Sequence, residues 1–393
     1  MIYTNNKLPI YAWSGFKSFE EGALKQADNL ANLPFAYHHI ALMPDCHQGY
    51  GMPIGGVLAT ENVVVPNAVG VDIGCGVRAM KINNLELTQD QLRTVMGTVR
   101  EKIPVGFNKH SKVDDSVAAR VEEFGLCYDD WEYYVVIEEY ENSLLQLGTL
   151  GGGNHFIEFQ KDSDGNLWVM IHSGSRNLGK KVADYYNKLA IAKNQLYYSS
   201  VTKESELAFF PLTTEDGQKY IEEMKYCVKY AELNRTMMME RIQEILLQYS
   251  DSVCFESPID VSHNYARIER HYGKDVVIHR KGATSAKLNE IGIIPGSQGT
   301  KSYIVRGRGS RISFESCSHG AGRLMGRNVA RKTLNLNDEI QKLNDMGVVH
   351  SIRNVEDLDE APSAYKNIDE VMENQNDLIE IVETLHPLAV IKG

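Results

Sequence analysis

The feature that most restricts the fold is a set of polar residues placed beside glycine in short segments far apart in the chain. The segments VGVDIGCGVR, LGGGNHFIE, VMIHSGSR, DVSHNYAR and ESCSHGAGR begin between residues 69 and 315, and all but DVSHNYAR contain glycine. Glycine adopts positive φ and lets other groups approach the backbone, so such segments suit turns at a shared site. No Pro/Gly/Ser linker divides the chain. We therefore predict one catalytic domain, residues 1–393, in which these segments meet.

The composition is that of an ordinary soluble protein. Of the 393 residues, 43% are hydrophobic and 24% are charged. No apolar run approaches the ~20 residues that span a bilayer, and the N-terminus has no export signal. The six cysteines form no CxxC pair, so we expect reduced thiols and a cytoplasmic protein without membrane contact.

Strand-like and helical patterns interleave irregularly. The runs LWVMIH, DVVIH and SYIVRG predict strands, as do short apolar runs between glycine turns in the first 80 residues. Residues 110–147 are interpreted as a peripheral, acidic, helical insertion. Because regular βαβ alternation is absent, we predict an α+β fold with mixed or antiparallel sheets flanked by helices. Helices are predicted from near Thr88, from near Thr214 to near Tyr249, and around residues 320–332, 336–346 and 367–383.

Three glycine-rich stretches resemble standard nucleotide-binding motifs, and each departs from the pattern. GIIPGSQGTKS has Thr300 where a phosphate-binding loop needs lysine. GAGRLMG and GYGMPIGG lack the third glycine of GxGxxG, at Met325 and Ile54 respectively. The standard nucleotide-binding folds are therefore not expected.

A basic segment stands out in an acidic chain. The formal net charge is −11, yet residues 267–332 contain 14 Lys and Arg against 4 Asp and Glu. The overall charge argues against a general nucleic-acid coat protein. The local excess indicates an anion site, with phosphates as the first candidates, and a solvated basic face is the alternative interpretation.

The glycine-flanked residues include the donors of a metal site. Asp72 and Cys75 lie three residues apart on a glycine-rich turn, where a carboxylate and a thiol can point at one centre. His155, His172 and His263 stand beside Gly, Asn or Ser. One such histidine is more often structural, but the set predicts a site that holds two ions if Cys75 bridges them. The residues alone leave zinc, manganese and iron open.

Two further segments carry histidine. In MPDCHQGYG, Cys46 and His47 are additional candidates, and Asp45 is interpreted as a residue that orients a ligand. In SHGAGR, His319 directly precedes two glycines at the predicted start of a helix. A histidine placed there suits the approach of a large group.

These motifs occur in the order found in a known family. VGVDIGCGVR, GGGNHFIE, IHSGSRNLG, HNYA, RKGAT, IPGS-GT-S, SHGAGR and the terminal VIKG together resemble the RtcB-type GTP-dependent RNA ligases. The resemblance extends from about Met43 to Gly393. Gln298 stands where the family motif PGSMG has methionine, but its backbone can still serve the pocket. Residues 110–147 are not aligned.

The resemblance implies a dinuclear manganese site and a covalent nucleophile. The implied metal ligands are Asp72, Cys75 and His155 for one ion, and Cys75, His172 and His263 for the other. His319 is implied to be guanylylated by GTP, with Arg176 and Arg323 as catalytic arginines that bind phosphate. Gly320 and Gly322, at the predicted helix N-terminus, would let phosphate approach backbone N–H groups.

The resemblance also implies a guanylate pocket drawn from most of the chain. Its residues are Asn154, His155, Phe156, Ile157, Glu158, His263, Asn264, Pro295, Gly296, Ser297, Gln298, Ser302, His319, Gly320, Ala321, Gly322, Tyr365 and Lys392. Tyr365 matches the position that stacks on guanine.

The implied function is the joining of an RNA 3′-phosphate or 2′,3′-cyclic phosphate end to a 5′-hydroxyl end, in tRNA splicing or RNA repair. An archease-like activator is a further implied partner. Two alternatives stay open: a dinuclear metal-dependent RNA phosphoesterase without ligation, and an inactive RNA-binding module. The sequence leaves the natural RNA and the oligomeric state undetermined.

Overall fold

The computed structural model describes residues 1–4, 6–113, 115–126 and 134–393. Its α-helices are α1 (Glu21–Ala31), α2 (Pro66–Val69), α3 (Gln89–Lys102), α4 (Asp115–Glu123), α5 (Tyr134–Leu144), α6 (Arg176–Leu196), α7 (Glu215–Leu246), α8 (Arg327–Thr333), α9 (Leu336–Asp345) and α10 (Ile368–Glu373). Short 3₁₀ helices cover Phe16–Ser18, Lys203–Ser205, Arg311–Ser313, Val355–Glu360 and Pro362–Ala364.

The strands form two large sheets and two small ribbons. They are β1 (Ile2–Tyr3), β2 (Ile10–Ala12), β3 (Ala36–His47), β4 (Ile54–Thr60), β5 (Val63–Val64), β6 (Gly76–Asn83), β7 (Phe156–Lys161), β8 (Leu167–Ser173), β9 (Phe210–Pro211), β10 (Cys254–Phe255), β11 (Ile259–Ser262), β12 (Asn264–His271), β13 (Lys274–Lys281), β14 (Ala283–Ser285), β15 (Ile291–Ile294), β16 (Ser302–Gly307), β17 (Ser316–Ser318) and β18 (Ile379–Lys392).

The sheets are mixed or antiparallel, as predicted. One has the order β1-β2-β3-β4-β13-β12, in which only β2 and β3 pair in parallel among the described strands. The other has the order β10-β6-β8-β7-β18-β16-β15, and β11 also pairs with β6. With helices against both sheets, the predicted α+β class is confirmed.

Helix α3 shows how the sequence determines the packing. Its buried residues are Leu92, Val95, Met96 and Val99, spaced so that they share one face of the helix. Thr88 caps the helix, because its hydroxyl accepts a hydrogen bond from the Gln91 backbone N–H and the Gln91 side-chain oxygen accepts one from the Thr88 N–H. The apolar face packs with α7 against one face of the second sheet.

The opposite face of that sheet faces the cavity described below. Along β7, Ile157 and Phe159 lie in the core shared with α3 and α7, whereas Phe156 and Glu158 line the cavity. This alternation follows from the two-residue period of a strand. Strand β18 repeats it, with Ile391 in the core and Lys392 on the cavity side.

Several predicted elements are confirmed. The strands LWVMIH, DVVIH and SYIVRG correspond to β8, β13 and β16, and the predicted helices near Thr88, near Thr214 and at 336–346 correspond to α3, α7 and α9. Helices α1 and α6 were not predicted. In residues 110–147, α4 and α5 contribute buried valines to the same core as α6 and α7, and the segment 127–133 lies outside the described residues.

Two predicted helices are wrong over part of their length. The helix at 367–383 ends at Glu373, and β18 begins at Ile379. The run IEIVET is rich in β-branched residues and pairs with β16, so strand propensity and pairing prevail there. The helix predicted at 320–332 begins only at Arg327, with Gly326 as its N-cap.

The thiol and membrane expectations can be compared with the described residues. Cys46, Cys75, Cys227, Cys254 and Cys317 are free thiols, and Cys127 lies outside the described part of the chain. Within the described ranges, no helix combines the length and apolar character that crossing a membrane requires.

Candidate functional site

The predicted metal donors meet because they stand at neighbouring strand ends. Cys75 directly precedes β6, His155 directly precedes β7, His172 lies near the end of β8, and His263 separates β11 from β12. In the register of the second sheet, His172 is paired with both Val77 and Phe156. Strand pairing therefore brings four distant segments to one edge of the sheet.

The donor atoms form two groups that share one thiol. Cys75 Sγ lies 3.5 Å from His155 Nε2 and 3.2 Å from His172 Nε2. His155 Nε2 lies 3.0 Å from an Asp72 carboxylate oxygen, and His172 Nε2 lies 3.3 Å from His263 Nε2. Asp72, Cys75 and His155 form one group and Cys75, His172 and His263 form the other, with donor atoms within 4.8 Å of one another.

The histidines are prepared to act as ligands through Nε2. His155 Nδ1 lies 2.9 Å from the Leu150 carbonyl oxygen and His172 Nδ1 lies 3.2 Å from that of Asn154. A carbonyl only accepts, so each Nδ1 carries the proton and each Nε2 keeps its lone pair. Burial lowers the pKa of His172 well below its ordinary value, which also favours the neutral ligand form. The donor set therefore fits a pair of divalent cations.

Arg176 lies beside His155, a member of the donor group that also contains Asp72 and Cys75. The first residue of α6, it has a φ of 59°, and its guanidinium donates to Thr149 Oγ1 at 3.0 Å and to the Gly106 carbonyl at 2.8 Å. Gly151, with a φ of 94°, lies against it: a Cβ there would be 2.0 Å from Arg176 Nη1 and 2.5 Å from His155 Nδ1. Only glycine fits between these two side chains.

His319 is held by a buried carboxylate. Asp45 Oδ2 lies 2.6 Å from His319 Nδ1 and accepts the backbone N–H groups of His319 at 3.1 Å and Gly320 at 3.3 Å. Burial raises the pKa of Asp45, but the charge of His319 and its hydrogen bond outweigh this and leave that pKa below its usual value. The proton therefore sits on His319 Nδ1, and Nε2 is free to act as a nucleophile.

His319 also lies beside the metal donors. Its ring centroid is 4.8 Å from that of His263. Asp45 was predicted to orient a metal ligand, but its carboxylate contacts His319 rather than one of the five predicted donors, and its neighbour His47 is turned back to the Asp45 carbonyl at 3.0 Å. The placement of His319 at a helix N-terminus was wrong, because residues 319–326 precede α8. Backbone N–H groups at Gly320 and Gly322 consequently have no helix dipole behind them.

A cavity of about 760 Å³ opens over His172, His263 and His319. Of the predicted guanylate residues, it is lined by Asn154, Phe156, Glu158, His263, Asn264, Pro295, Gly296, Ser297, Gln298, His319, Gly320, Ala321, Gly322, Tyr365 and Lys392. His155 and Ser302 lie behind this wall, and Ser302 Oγ accepts the Gly296 N–H at 3.1 Å. Ile157 points into the core on the opposite face of β7.

Glu360, which the sequence analysis missed, connects several cations of the cavity. Its carboxylate lies 3.0 Å from Arg323 Nη1, 3.4 Å from Arg327 Nε and 3.3 Å from Lys392 Nζ. It also accepts the Tyr365 hydroxyl. These contacts outweigh the effect of burial, which raises the pKa of Glu360, and leave it below its ordinary value. No sequence motif marks Glu360, because its partners come from three separate segments.

Gln298 and Arg323 are tied to the same segment. The Gln298 side chain donates to the Glu360 carbonyl at 2.7 Å, so glutamine at this position joins two walls of the cavity. Arg323 donates to the Asp359 carbonyl and lies 5.1 Å from the Tyr365 ring centroid, on the ring face. Arg323 is therefore already ordered.

Glu158 is a buried acid on the cavity wall. Burial raises its pKa to about 8, although the charge of Lys392 opposes the shift. Its Oε1 has no hydrogen-bond partner in the described part of the chain. A buried carboxyl oxygen without a partner suits a ligand that brings its own donors.

The basic segment is not a continuous surface. Arg280 is buried in an ion pair with Glu269 at 2.6 Å, and Lys281 is buried at the cavity wall. Arg306 and Arg327 are about half exposed.

Known proteins are similar to this chain over nearly its whole length. The model of the family described as tRNA-splicing ligase RtcB matches residues 26–393. The chain belongs to the RtcB family. The RNA-splicing ligase RtcB of Escherichia coli (strain K12) is 35% identical over 422 aligned positions, which cover 100% of this chain and 99% of that protein.

Archaeal relatives are similar over nearly the same length. The tRNA-splicing ligase RtcB of Thermococcus kodakarensis is 33% identical, covering 96% of this chain and 92% of that protein. That of Nanoarchaeum equitans is 32% identical, covering 96% and 93%. The predicted RtcB family membership and the enzyme class of RNA ligase are thereby confirmed.

Proposed function

We propose that this RtcB-family protein is a GTP- and manganese-dependent ligase that joins RNA 3′-phosphate or 2′,3′-cyclic phosphate ends to 5′-hydroxyl ends through a histidine–GMP intermediate. The observation that carries the proposal is the geometry of His319. Its Nδ1 lies 2.6 Å from Asp45, its Nε2 is free, and its ring adjoins that of His263 at the cavity wall. A neutral imidazole held in this way is a competent nucleophile near pH 7.

In the first step His319 Nε2 attacks the α-phosphorus of GTP, and the bond to the bridging oxygen breaks to release pyrophosphate. The imidazole gains positive character as the new bond forms. Asp45, fully buried and bonded to Nδ1, offsets that charge and keeps the ring in position. The backbone bonds from His319 and Gly320 to the same oxygen hold the carboxylate in place.

In the later steps the guanylate moves to RNA. Any cyclic phosphate is first opened by hydrolysis to a 3′-phosphate. An oxygen of that phosphate attacks the phosphorus of the His319 adduct, and the P–N bond breaks. The 5′-hydroxyl then attacks the activated RNA phosphorus, GMP leaves, and the hydroxyl proton is lost. Arg176 and Arg323 are proposed to bind the phosphates in these steps.

Asp72, Cys75, His155, His172 and His263 would hold two manganese ions, which when bound supply electrostatic stabilisation of charge on phosphate oxygens. Thiolate and imidazole donors also suit zinc, so the preference for manganese is part of the proposal.

The guanine is proposed to bind between Glu158, Lys392 and Tyr365. Guanine presents N–H donors, which the unpartnered Glu158 Oε1 can accept, and a carbonyl oxygen, to which Lys392 can donate. The ring of Tyr365 offers a stacking surface for the purine. The residues 295–298 complete the wall of this pocket.

Broken RNA is the proposed substrate, and an archease-like activator and a cytoplasmic location are proposed with it. The natural RNA is left open between spliced tRNA halves and RNA damaged by nucleases. End chemistry rather than base sequence is expected to direct recognition.

The decisive experiment is incubation of the purified protein with α-labelled GTP and Mn²⁺, Zn²⁺ or Mg²⁺ in turn. We expect acid-labile label on the native protein with Mn²⁺ and none on His319→Ala. RNA with cyclic phosphate and 5′-hydroxyl ends is then added. If the cyclic phosphate is hydrolysed without joining and GTP has no effect, the protein is a phosphoesterase rather than a ligase. If the RNA binds and is not converted, the protein is an inactive RNA-binding module.

A further inference from the structure

One exposed aromatic residue lies at the cavity without an assigned role. Tyr50 lines the cavity that contains His263 and His319, yet its side chain is 70% exposed. Other strongly exposed aromatic residues of the described chain, such as Phe107 and Tyr198, do not line it. A tyrosine with so much exposed surface contributes little to the core.

The backbone beneath Tyr50 is held from several sides. In the loop between β3 and β4, Lys281 Nζ donates to the Tyr50 carbonyl at 2.5 Å, and Glu206 accepts the Gly51 N–H at 2.9 Å. Gln26 makes two hydrogen bonds with the backbone of Gly49, at 2.6 and 3.1 Å. The ring is thus presented to solvent from a fixed base, and little ordering entropy is lost when a ligand contacts it.

Tyr50 lies on the part of the cavity that the guanylate does not need. The proposed guanine contacts are Glu158, Tyr365, Lys392 and residues 295–298, whereas Tyr50 and Asn67 share Lys281, whose Nζ donates to both of their backbone carbonyls. The wall that contains Tyr50 and Lys281 also contacts the nucleophile, because a Cβ on Gly282, the residue after Lys281, would lie 3.1 Å from His319 Cε1. A group attacking the His319 adduct can therefore approach past Tyr50.

The rim around Tyr50 has the composition of a single-strand nucleic-acid site. Val71 is about half exposed and lines the same cavity, and the ammonium of Lys281 contacts the Tyr50 backbone. Exposed aromatic rings beside cations bind single strands by stacking on bases, whatever their sequence. The base next to a 3′-phosphate is attached to the same ribose, so it must stay near His319 while that phosphate reacts.

We infer that Tyr50 is the stacking platform for the terminal nucleobase of the RNA strand that carries the 3′-phosphate. The inference rests on the proposed function and adds to it the residue that binds the RNA end. Stacking uses the ring rather than the hydroxyl, so phenylalanine and tryptophan should serve in its place, and alanine should not.

The test compares Tyr50→Ala, Tyr50→Phe and a matched control, Tyr198→Ala, whose side chain is 94% exposed and lies away from the cavity. We expect Tyr50→Ala to raise KM for 3′-phosphate RNA about 5- to 100-fold, well beyond any effect on the rate of His319 labelling by GTP. Tyr50→Phe and Tyr198→Ala should stay within about twofold of the native protein.

An RNA whose 3′-terminal nucleotide lacks its base supplies the second arm. With the native protein, removing that base should raise KM about as much as Tyr50→Ala does, and combining both changes should add little. The inference would be overturned if the KM effects of Tyr50→Ala and of base removal were additive, or if Tyr50→Ala left KM unchanged. It would also be overturned if Tyr50→Ala were coupled only to changes in the 5′-hydroxyl strand. Failure of the native protein to label His319 or to join RNA would instead overturn the proposed function.

Discussion

Replacing Asp45 with asparagine would isolate the charge that supports His319. The asparagine oxygen can take the place of Asp45 Oδ2, which accepts His319 Nδ1 at 2.6 Å and two backbone N–H groups at 3.1 and 3.3 Å. Those backbone donors disfavour the flipped orientation of the new amide, because a flip would place its NH₂ group against the backbone N–H groups of His319 and Gly320. The proton therefore stays on Nδ1 in Asp45→Asn, and the negative charge is what is lost.

The expected size of the effect follows from the burial of this contact. A charge-assisted hydrogen bond is about twice as strong as a neutral one, and Asp45 has no exposed surface that would let water compensate. We estimate a loss of about 1.5–3 kcal/mol in stabilisation of the charged ring during attack, which slows His319 guanylylation about 10- to 150-fold. Asp45→Ala removes the acceptor as well and should be slower still.

The assay is a single-turnover measurement of His319 labelling by α-labelled GTP with Mn²⁺ and without RNA. Asp90→Asn, at a carboxyl 93% exposed on α3, is the matched control and should label at the native rate. Thermal unfolding checks that Asp45→Asn is folded, since its new amide occupies the buried position of Oδ1, which has no partner in the described chain. Labelling of Asp45→Asn within twofold of the native rate would refute the reasoning.

Three other outcomes are expected. Cys75→Ser should lose both ions, because the thiol belongs to both donor groups, whereas His263→Ala should retain one, because His263 belongs to only one group. Metal analysis after dialysis measures this, and two ions retained by both variants would contradict it. Gly151→Ala should lower His319 labelling at least about tenfold, since its Cβ would meet Arg176 and His155, while Gly97→Ala, with open space in α3, should be neutral or stabilising by about 0.5–1 kcal/mol. Burial raises the pKa of Asp162, but hydrogen bonds from Trp168, Lys81 and Asn166 outweigh it and lower that pKa to about 2. The ionised Asp162 therefore stabilises the fold by about 2 kcal/mol above pH 4, and this stabilisation is lost as the pH falls from about 4 to 2. In denaturation experiments Asp162→Asn should have a lower free energy of unfolding than the native protein at pH 7, and the difference should disappear near pH 2. A difference that does not change with pH would exclude the ionised carboxylate as its cause.

Local patterns identified much of the fold. Helix α3 was predictable because Thr88 and Gln91 form a capping box before a periodic apolar face, and α7 because Thr214 caps a long run of the same kind. The C-terminal strand was not predictable, because IEIVET is short and is compatible with either a helix or a strand until it pairs with β16. The helix after His319 was placed too early, since glycines near a helix start do not say where its first turn begins.

The residues of the site also divide into those that local sequence predicted and those that it did not. The grouping of Asp72, Cys75 and the three histidines was predictable, because each stands in a short segment rich in Gly, Asn or Ser that can be read locally. The position of Asp45 was marked as an orienting residue, but its partner was unknown, since His319 is 274 residues away. Glu360 lies in no motif, and Tyr50 lies in GYGMPIGG without being marked by it, because the contacts of both residues come from separate segments.

The amino-acid sequence by itself determined the chemistry available to this protein: one thiol, one carboxylate and a set of imidazoles in short segments rich in Gly, Asn or Ser, together with membership of the RtcB family. The tertiary structure alone decided which of these groups touch. Strand register brings Cys75, His155, His172 and His263 to one sheet edge, and burial sets Asp45 against His319. The physical reason is that ligand geometry and electrostatic coupling depend on distances of a few ångströms between atoms, which separation along the chain does not determine.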